Sequence, residues 1–129
     1  MIYLDTSVAL AHLLGEDRHP PDDLWAQSLV SSRLLEYEAW NRIHARGLGK
    51  SHGEALRQVL GRVSMIELSP PVLVRAIEPF PLKVRTLDAL HLASIDFLRR
   101  SGQDVRLASY DARLVDAARK LGLPIDECS

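Results

Sequence analysis

Short apolar segments alternate with segments of helical length along this chain, and that order constrains its fold more than any other feature. Strands are predicted at residues 1–4, 28–31, 63–68 and 105–108, and residues 123–125 can add a fifth. Strands that alternate with helices form right-handed βαβ units, which give a parallel sheet with helices on both faces. The sequence therefore predicts an α/β fold, a three-layer sandwich in which helices flank a central, mostly parallel sheet of four to five strands.

The helical segments carry signals at their ends. Helices are predicted at residues 8–14, 33–46, 51–61, 86–100 and 112–121, with short ones near Trp25 and after Pro70 and Pro71. Ser32 and Thr86 are expected to be N-caps of the helices that follow them, because a Ser or Thr side chain accepts a hydrogen bond from the first turn. Gly122 is expected to end the last of these helices.

The composition sets limits on the class of protein. The chain has 129 residues, 47% of them hydrophobic and 26% charged, which is typical of a globular protein with one core, so we expect a single domain over residues 1–129. The net charge of −1 gives no overall basic field that would point to a nucleic acid. However, 13 of the 16 basic residues are arginine, the residue best suited to phosphate contacts.

Cysteine content and hydropathy indicate the compartment. Cys128 is the only cysteine in the sequence, which excludes an intramolecular disulfide and a thiolate metal cluster. No apolar run approaches the roughly 20 residues needed to cross a bilayer, and the first residues lack the pattern of a signal peptide. We therefore expect a protein of the reducing cytoplasm without a membrane segment.

Four acids stand where the predicted fold would bring them together. Asp5 directly follows the first strand, and Asp111 follows the fourth strand at the start of a helix. Asp88 lies in the first turn of a helix, and Glu38 lies on the helix after the second strand. Each acid alone has a structural explanation, as a helix cap or a solvated side chain. Ligands of parallel sheets bind at the carboxyl ends of the strands, so the four together predict a site at that edge.

Clustered carboxylates predict a metal site. Two unit charges about 5 Å apart repel by roughly 3 kcal/mol at an effective dielectric constant near 20, so such a cluster needs a cation. Carboxylate and water are the ligands that Mg²⁺ or Mn²⁺ prefers, and a bound ion can activate water and neutralise charge on a phosphodiester. The sequence has no HExxH or GxSxG motif, so phosphate hydrolysis is favoured over acyl chemistry.

At these acids the sequence resembles the PIN-domain ribonucleases and, among them, the VapC toxins of toxin–antitoxin pairs. The resemblance lies in four segments that span nearly the whole chain: Leu4-Asp5-Thr6-Ser7, Ser32-Arg33-Leu34-Leu35-Glu36-Tyr37-Glu38, Arg85-Thr86-Leu87-Asp88-Ala89-Leu90-His91-Leu92-Ala93, and Ala108-Ser109-Tyr110-Asp111-Ala112-Arg113-Leu114. The Asp-Ala-Leu-His-Leu-Ala stretch is the most specific of them.

The resemblance implies a PIN-domain fold, a site for Mg²⁺ or Mn²⁺ and cleavage of RNA. It also implies a homodimer and inhibition by a small antitoxin protein. Asp5, Asp88 and Asp111 would coordinate the metal, and Glu38 would complete the site or orient the attacking water. Thr6 or Ser7 would support the metal site through water.

The second motif holds two glutamates, and we assign the role to Glu38. The family pattern places its glutamate six residues after the serine that opens the helix, which is Ser32 here. Residues two apart on a helix point about 200° from each other, so Glu36 and Glu38 cannot both reach one metal. Glu38 is also expected to share a mostly apolar stripe with Leu34 and Ala45, whereas Glu36 can lie at the surface near Arg33.

Other interpretations stay open at this point. The chain could be a PIN nuclease of RNA processing that is not a toxin, or a catalytically silent PIN domain that binds RNA or protein. His91 could be a ligand, but we expect it to pack or hydrogen-bond beneath the site. Trp25, Tyr37 and Trp40 could stack on RNA bases, although core or subunit contacts are expected. Gly49-Lys50-Ser51 is interpreted as a turn between helices, because the preceding residues do not complete a phosphate-binding loop.

Overall fold

The computed structural model describes residues 1–128 and shows strands and helices alternating along the chain. The elements are β1 (Ile2–Leu4), α1 (Thr6–Leu14), a 3-10 helix (Asp22–Ala26), β2 (Leu29–Ser32), α2 (Leu34–Ala45), α3 (Gly49–Leu60), β3 (Val63–Ile66), α4 (Pro70–Ala76), α5 (Thr86–Arg100), β4 (Arg106–Ala108) and α6 (Ala112–Lys120).

The four strands form one parallel sheet in the order β3-β2-β1-β4. Ile2 is aligned with Leu29 on one side of β1 and with Arg106 on the other. The chain moves outward from β1 to β3 in one direction and then crosses to the other side of β1 to form β4. The strand order therefore reverses between β1 and β4, which is where open α/β sheets bind ligands, outside the carboxyl ends of the strands.

Alternate residues of the strands pack against different helical layers. Ile2 and Leu4 belong to a core cluster with Val8 of α1, whereas Tyr3 belongs to a second cluster with Leu92 of α5. Successive side chains of a strand point to opposite faces of the sheet, so a strand that is apolar throughout buries both faces. This arrangement confirms the predicted α/β sandwich with a central parallel sheet between helices.

Several predicted boundaries are wrong. Thr86 is the first residue of α5 and not its N-cap, a position that Arg85 occupies without a side-chain hydrogen bond. Gly49 begins α3, so the Gly49-Lys50-Ser51 segment is helical and not a turn. Ser32 ends β2, but its hydroxyl accepts the expected hydrogen bond from the backbone N–H of Leu34 at 3.1 Å.

The other differences concern the ends of elements and the last strand. Residues 123–125 supply an isolated parallel bridge between Ile125 and Leu107 instead of a fifth strand. α1 begins at Thr6, two residues before the predicted start, because Asp5 caps it. Gly122 follows α6 in a left-handed conformation with φ of +74°, which glycine adopts without strain, so the predicted helix end is confirmed.

The aromatic side chains differ in burial. Trp25 and Trp40 pack against core clusters as expected, whereas Tyr37 is 68% exposed and contributes nothing to the core. Among the helices of residues 1–128, none is long and apolar enough to cross a membrane.

Candidate active site

The predicted acids lie around one end of the sheet. A cleft of about 570 Å³ is lined by Glu38 from α2, Asp88 from α5 and Asp111 at the start of α6. Asp5 directly follows β1 and is only 6% exposed. Ser109 hydrogen-bonds both Asp5 and the backbone N–H of Asp111, so Asp5 lies beside the cleft although it does not line it. The fold thus brings together all four acids that the sequence singles out.

Asp5 is held by hydrogen bonds to one of its two carboxylate oxygens. Its Oδ2 atom accepts hydrogen bonds from the hydroxyls of Ser7 at 2.6 Å and Ser109 at 2.8 Å. The backbone N–H of Ser7 also donates to Oδ2 at 3.4 Å, which makes Asp5 the N-cap of α1. A buried carboxylate requires such donors, because desolvation without them is costly. Ser7, predicted to support the site through water, supports Asp5 directly.

Ser109 links the ends of β1 and β4. Its hydroxyl donates to Asp5 and accepts from the backbone N–H of Asp111 at 3.0 Å. Ser7 makes the reciprocal link, since its hydroxyl donates to Asp5 and accepts from the backbone N–H of Tyr110 at 2.9 Å. These side chains therefore set the distance between the two strand ends that carry Asp5 and Asp111.

Asp111 caps α6 with one oxygen. Its Oδ1 atom accepts hydrogen bonds from the backbone N–H groups of Arg113 at 3.0 Å and Leu114 at 3.4 Å. The structural explanation that any acid at a helix start has is therefore correct for Asp111. It does not exclude a second role, because the cap uses Oδ1 alone and Asp111 also lines the cleft.

Glu38 and Glu36 point to different surroundings, as predicted. Glu38 Oε1 accepts a hydrogen bond from Thr6 Oγ1 at 3.1 Å and lies 2.6 Å from His91 Nε2. Glu36 pairs with Arg33 at 3.1 Å, with both side chains 40% exposed. The expected apolar stripe with Leu34 and Ala45 is wrong: the buried face of α2 consists of Leu35, Ala39 and Ile43, and Ala45 is exposed. Glu38 is held by polar partners and not by an apolar stripe.

His91 lies beneath the site and connects Glu38 to the sheet. It is 1% exposed, and its Nδ1 atom lies 2.7 Å from the hydroxyl of the fully buried Tyr3. Burial, the largest effect, lowers the pKa of His91, but the hydrogen bond to Glu38 and the charges of Glu38 and Asp5 together raise it above its usual value. Packing and hydrogen bonding beneath the site were expected for this residue.

Asp88 is the acid whose ionised form the fold disfavours. Partial burial raises the pKa of its carboxyl, and the negative charges of Asp111 and Asp5 raise it further. The charge of His91 and a backbone hydrogen bond at Arg85 oppose these effects only in part. A raised carboxyl pKa among other acids is the electrostatic condition that a cation relieves.

The hydrogen bonds to Asp5, Glu38 and Asp111 leave one carboxylate oxygen of each acid for another partner. Asp5 uses Oδ2, Glu38 uses Oε1 and Asp111 uses Oδ1. Within residues 1–128, the second oxygen of each has no side-chain or backbone donor. Acidic oxygens without protein donors at a shared cleft are a donor set that fits a hard divalent cation.

The geometry limits how such an ion would be held. In the part of the chain that the structure describes, no group of three or more His, Cys, Asp or Glu side chains lies close enough together to hold a metal ion by itself. Mg²⁺ is commonly bound through one or two carboxylates, with water completing its octahedral shell. The residues present therefore fit an open site with few direct protein ligands.

Sequence reasoning missed the roles of Ser109 and Tyr3 in holding the acids. Ser109 follows β4 and stands two residues before Asp111. A serine hydroxyl commonly accepts a hydrogen bond from the backbone N–H two residues later, so this contact could have been predicted from the local sequence. Tyr3 gave no such signal, because a tyrosine in an apolar strand predicts only packing. Its link to His91 spans 88 residues of sequence.

Comparison with known proteins identifies the family. The PIN domain matches residues 2–121 of the chain. Ribonuclease VapC46 of Mycobacterium tuberculosis is 34% identical, over 96% of this chain and 95% of that protein. Ribonuclease VapC47 of the same species is 31% identical, over 95% of this chain and 93% of that protein.

A solved structure shows the same fold. The crystal structure of M. tuberculosis VapC20, described as a sarcin-ricin loop cleaving toxin, superposes with a TM-score of 0.65 at 19% sequence identity. The match covers 91% of this chain and 95% of the VapC20 chain. VapC20 shares the fold. On the family match over residues 2–121 and the two ribonuclease relatives, this chain belongs to the PIN-domain family as a VapC-type ribonuclease.

Proposed function

We propose that this protein is an endoribonuclease toxin that hydrolyses RNA phosphodiester bonds with the help of Mg²⁺ or Mn²⁺. Two relatives above 30% identity are both named ribonucleases and match it over nearly their whole length. The structural observation that carries the proposal is the set of acids around one cleft. Asp5, Glu38 and Asp111 each keep one oxygen that has no donor among residues 1–128.

The residues have separate tasks in this reaction. When bound, a divalent ion supplies neutralisation of charge at the scissile phosphate and activation of the attacking water. Asp5, Asp88 and Asp111 would hold the ion, directly or through its water shell. Glu38 completes the site or orients the attacking water by accepting a hydrogen bond from it. Ser7 and Ser109 keep the Asp5 carboxylate in one orientation, and Thr6 does the same for Glu38.

Arginines at the cleft provide the contacts to the RNA backbone. Arg42, Arg85 and Arg113 line the same cleft as the acids, and all three are exposed. None of them forms a salt bridge within residues 1–128. A guanidinium without a carboxylate partner is available for bidentate contacts to phosphate oxygens. These arginines explain how a chain with a net charge of −1 binds a polyanion at an acidic site.

The phosphate contacts can be separated from the chemistry by salt and by substitution. Arg113→Gln should raise KM for RNA and leave kcat nearly unchanged, because an interaction with the RNA backbone is made equally in the ground state and the transition state. Removing one arginine–phosphate interaction should reduce the slope of log affinity against log salt by about 0.7 on single-stranded RNA. Arg106→Gln is the control, since Arg106 is exposed at the amino end of β4, away from the cleft. Equal effects of both substitutions would contradict the assignment.

Metal removal tests the reaction itself. Cleavage of single-stranded or looped RNA should stop in excess EDTA and return on addition of Mg²⁺ or Mn²⁺. The same ions should raise the thermal midpoint of the RNA-free protein, because they bind the folded state and relieve repulsion between the acids. Undiminished cleavage in excess chelator would contradict the proposed mechanism.

The toxin assignment is tested in cells. Expression of this chain alone should arrest growth, and co-expression of the protein encoded beside it, a small antitoxin in the proposal, should restore growth. In this proposal the protein cleaves RNA in the cytoplasm. Harmless expression of folded, RNA-cleaving enzyme would instead favour a nuclease of RNA processing.

A homodimer is the proposed quaternary state. The segment from α4 to the first turn of α5 carries five large exposed hydrophobic side chains: Leu73, Val74, Ile77, Leu82 and Leu87. Part of this surface forms a groove that borders the cleft, because Arg85 and Thr86 line both. A second copy of the chain would cover it. Ile77→Glu should produce monomers in sedimentation experiments without unfolding, since Ile77 is 85% exposed. A wild-type protein that sediments as a monomer would contradict the dimer.

A further inference from the structure

We propose that Tyr3 and His91 are positioning residues that form a buried hydrogen-bond relay between the sheet and Glu38. The relay holds one oxygen of the Glu38 carboxylate on the protein and thereby fixes the direction in which the other oxygen is offered to the reaction. This inference rests on the proposed function, because the orientation of Glu38 matters only if Glu38 acts in the cleft.

The relay crosses four elements of the fold. The backbone N–H of Ser32, at the end of β2, donates to the hydroxyl oxygen of Tyr3 in β1 at 3.2 Å. That hydroxyl lies 2.7 Å from His91 Nδ1 in α5, and His91 Nε2 lies 2.6 Å from Glu38 Oε1 in α2. The position of the carboxylate is thus tied to the backbone of the sheet and not only to its own helix.

The chemistry of the groups fixes where the hydrogens lie. An ionised carboxylate only accepts hydrogen bonds, so His91 Nε2 carries a hydrogen and donates it to Glu38. In neutral His91 the other nitrogen is an acceptor, and the O–H of Tyr3 donates to it while its oxygen accepts from Ser32. In the protonated imidazolium the Nε2–H donor is still present. The contact to Glu38 therefore does not depend on the protonation state of the ring.

Burial distinguishes the relay from ordinary core packing. Tyr3 is 0% and His91 is 1% exposed, whereas the side chain of Glu38 is 20% exposed at the cleft. Apolar side chains of similar size would fill these two positions without requiring hydrogen-bond partners, and a buried polar network is favourable only when every member is satisfied. The Tyr3 hydroxyl and both His91 nitrogens are satisfied by successive hydrogen bonds that end at the Glu38 carboxylate. This explains why tyrosine and histidine occupy these positions.

A second donor acts on the same oxygen. Thr6 Oγ1, in the first turn of α1, donates to Glu38 Oε1 at 3.1 Å, so donors from α1 and α5 converge on one atom. Glu38 Oε2 has no donor within residues 1–128. Two fixed donors from separate helices restrict rotation of the carboxylate, which is how partners of ligating residues typically tune metal affinity.

Two substitutions of His91 test the relay as a matched pair. The amide nitrogen of Gln lies near the place of His Nε2, whereas that of Asn lies near Nδ1 and cannot reach Glu38. His91→Asn should weaken Mn²⁺ binding to the RNA-free protein by about 10- to 100-fold and lower kcat to a similar extent, with KM for RNA little changed. His91→Gln should recover most of both losses. Both substitutions remove the same ring from the core, so a purely structural role would affect them alike.

The measurements are Mn²⁺ titration by calorimetry, steady-state cleavage kinetics and the thermal midpoint of each variant. His52→Asn is the control for the substitution itself, because His52 lies on α3 and bonds only Ser51 within residues 1–128. Equal loss of Mn²⁺ affinity in His91→Gln and His91→Asn would overturn the relay. If His91→Asn does not fold, Tyr3→Phe and Thr6→Val replace it. Each of them removes one hydroxyl and should weaken Mn²⁺ binding, and unchanged binding in both would overturn the proposal.

One measurement requires neither metal nor RNA. In metal-free wild-type protein, nitrogen-15 NMR should show that His91 Nε2 carries a slowly exchanging hydrogen whose resonance shifts in Glu38→Gln. An unprotonated or rapidly exchanging Nε2 would overturn the relay whatever the activity. A wild-type protein that neither binds Mn²⁺ nor cleaves RNA would overturn the proposed function, while the NMR result would still decide whether the relay exists.

Discussion

The two sides of the cleft hold their acids in different ways. On the side of β1 and α2, Asp5 and Glu38 receive hydrogen bonds from side chains, and Asp5 is almost fully buried. On the side of α5 and α6, Asp111 receives hydrogen bonds from backbone groups at its own helix start, and Asp88 is a half-buried acid with a raised pKa. The first side fixes geometry, whereas the second side carries electrostatic strain that a cation can relieve.

This difference predicts that substitutions on the two sides have different consequences. Removing a charge from the side held by side chains should disturb both the chemistry and the hydrogen bonds that surround it. Removing a charge from the strained side should disturb the chemistry but relieve repulsion in the metal-free protein. Substitutions of Asp5, Glu38, Ser109 and Asp88 test this difference.

Asp5→Asn should produce the largest loss of activity. It removes the charge of the most buried acid, and several kcal/mol of transition-state stabilisation corresponds to about 10³-fold in rate. The donors from Ser7 and Ser109 should keep the amide oxygen in place of Oδ2, so the protein should still fold. Cleavage assays and a melting curve measure the two effects. Asp104→Asn, in the exposed segment before β4, is the control. A variant that cleaves RNA at the normal rate would show that Asp5 is only a helix cap.

Glu38→Gln should reduce the cleavage rate by about 10²-fold, because an amide offers a weaker acceptor and no charge at the cleft. Glu36→Gln should change the rate by no more than a few-fold, since its exposed pair with Arg33 contributes little even to stability. The two variants differ only in the position of the same substitution on α2. If Glu36→Gln proves the more damaging of two folded variants, the assignment of Glu38 is wrong.

Ser109→Ala should lower activity by about 10-fold and also destabilise the protein. The hydroxyl orients Asp5 and satisfies the partly buried backbone N–H of Asp111, and loss of one such hydrogen bond costs about 1 kcal/mol. Ser101→Ala removes a hydroxyl that bonds only a backbone carbonyl at the exposed end of α5, and it should change neither quantity much. Comparable melting curves and rates for both variants would count against a bridging role for Ser109.

The order of strands and helices could be predicted from the sequence because it depends on local apolar patterns and on the handedness of βαβ units. The same topology predicted that Asp5 and Asp111 would meet, since β1 and β4 end at the same edge. Residue-level boundaries were less predictable: Thr86 looked like a cap but lies inside α5, where Arg85 takes the cap position. Gly49 looked like a turn residue but begins α3.

The interactions that hold the acids could not be predicted from local patterns. The contact between Ser109 and Asp5 spans 104 residues, and that between His91 and Glu38 spans 53. Such contacts depend on side-chain directions that are determined only when the layers have packed. The choice of Glu38 over Glu36 rested on the family spacing and the helical angle, whereas the expected apolar stripe was wrong.

Asp88→Asn should change the melting temperature of the metal-free protein least, but the direction of that change distinguishes a strained acid from a structural one. Because the pKa of Asp88 is raised in the folded protein, the contribution of this group to stability is fully present below the pKa of the unfolded state. That contribution is lost as pH rises through the folded pKa, so ionised Asp88 destabilises the metal-free fold near neutral pH. Asp88→Asn should therefore melt at the same or a slightly higher temperature than wild type in EDTA at pH 7, although it should cleave RNA much more slowly than wild type.

Two changes of condition should reverse or remove that difference. On acidification through the raised pKa of Asp88, wild type loses the charge that the variant never had, so the two melting temperatures should converge. In excess Mn²⁺ at pH 7, wild type should gain more than Asp88→Asn, because the variant has lost one of the charges that attract the ion. Asp5→Asn should show no such gain in EDTA, since its hydrogen bonds already stabilise the carboxylate. If Asp88→Asn melts well below wild type in EDTA at pH 7, Asp88 is a structural acid and the contrast between the two sides of the cleft does not hold.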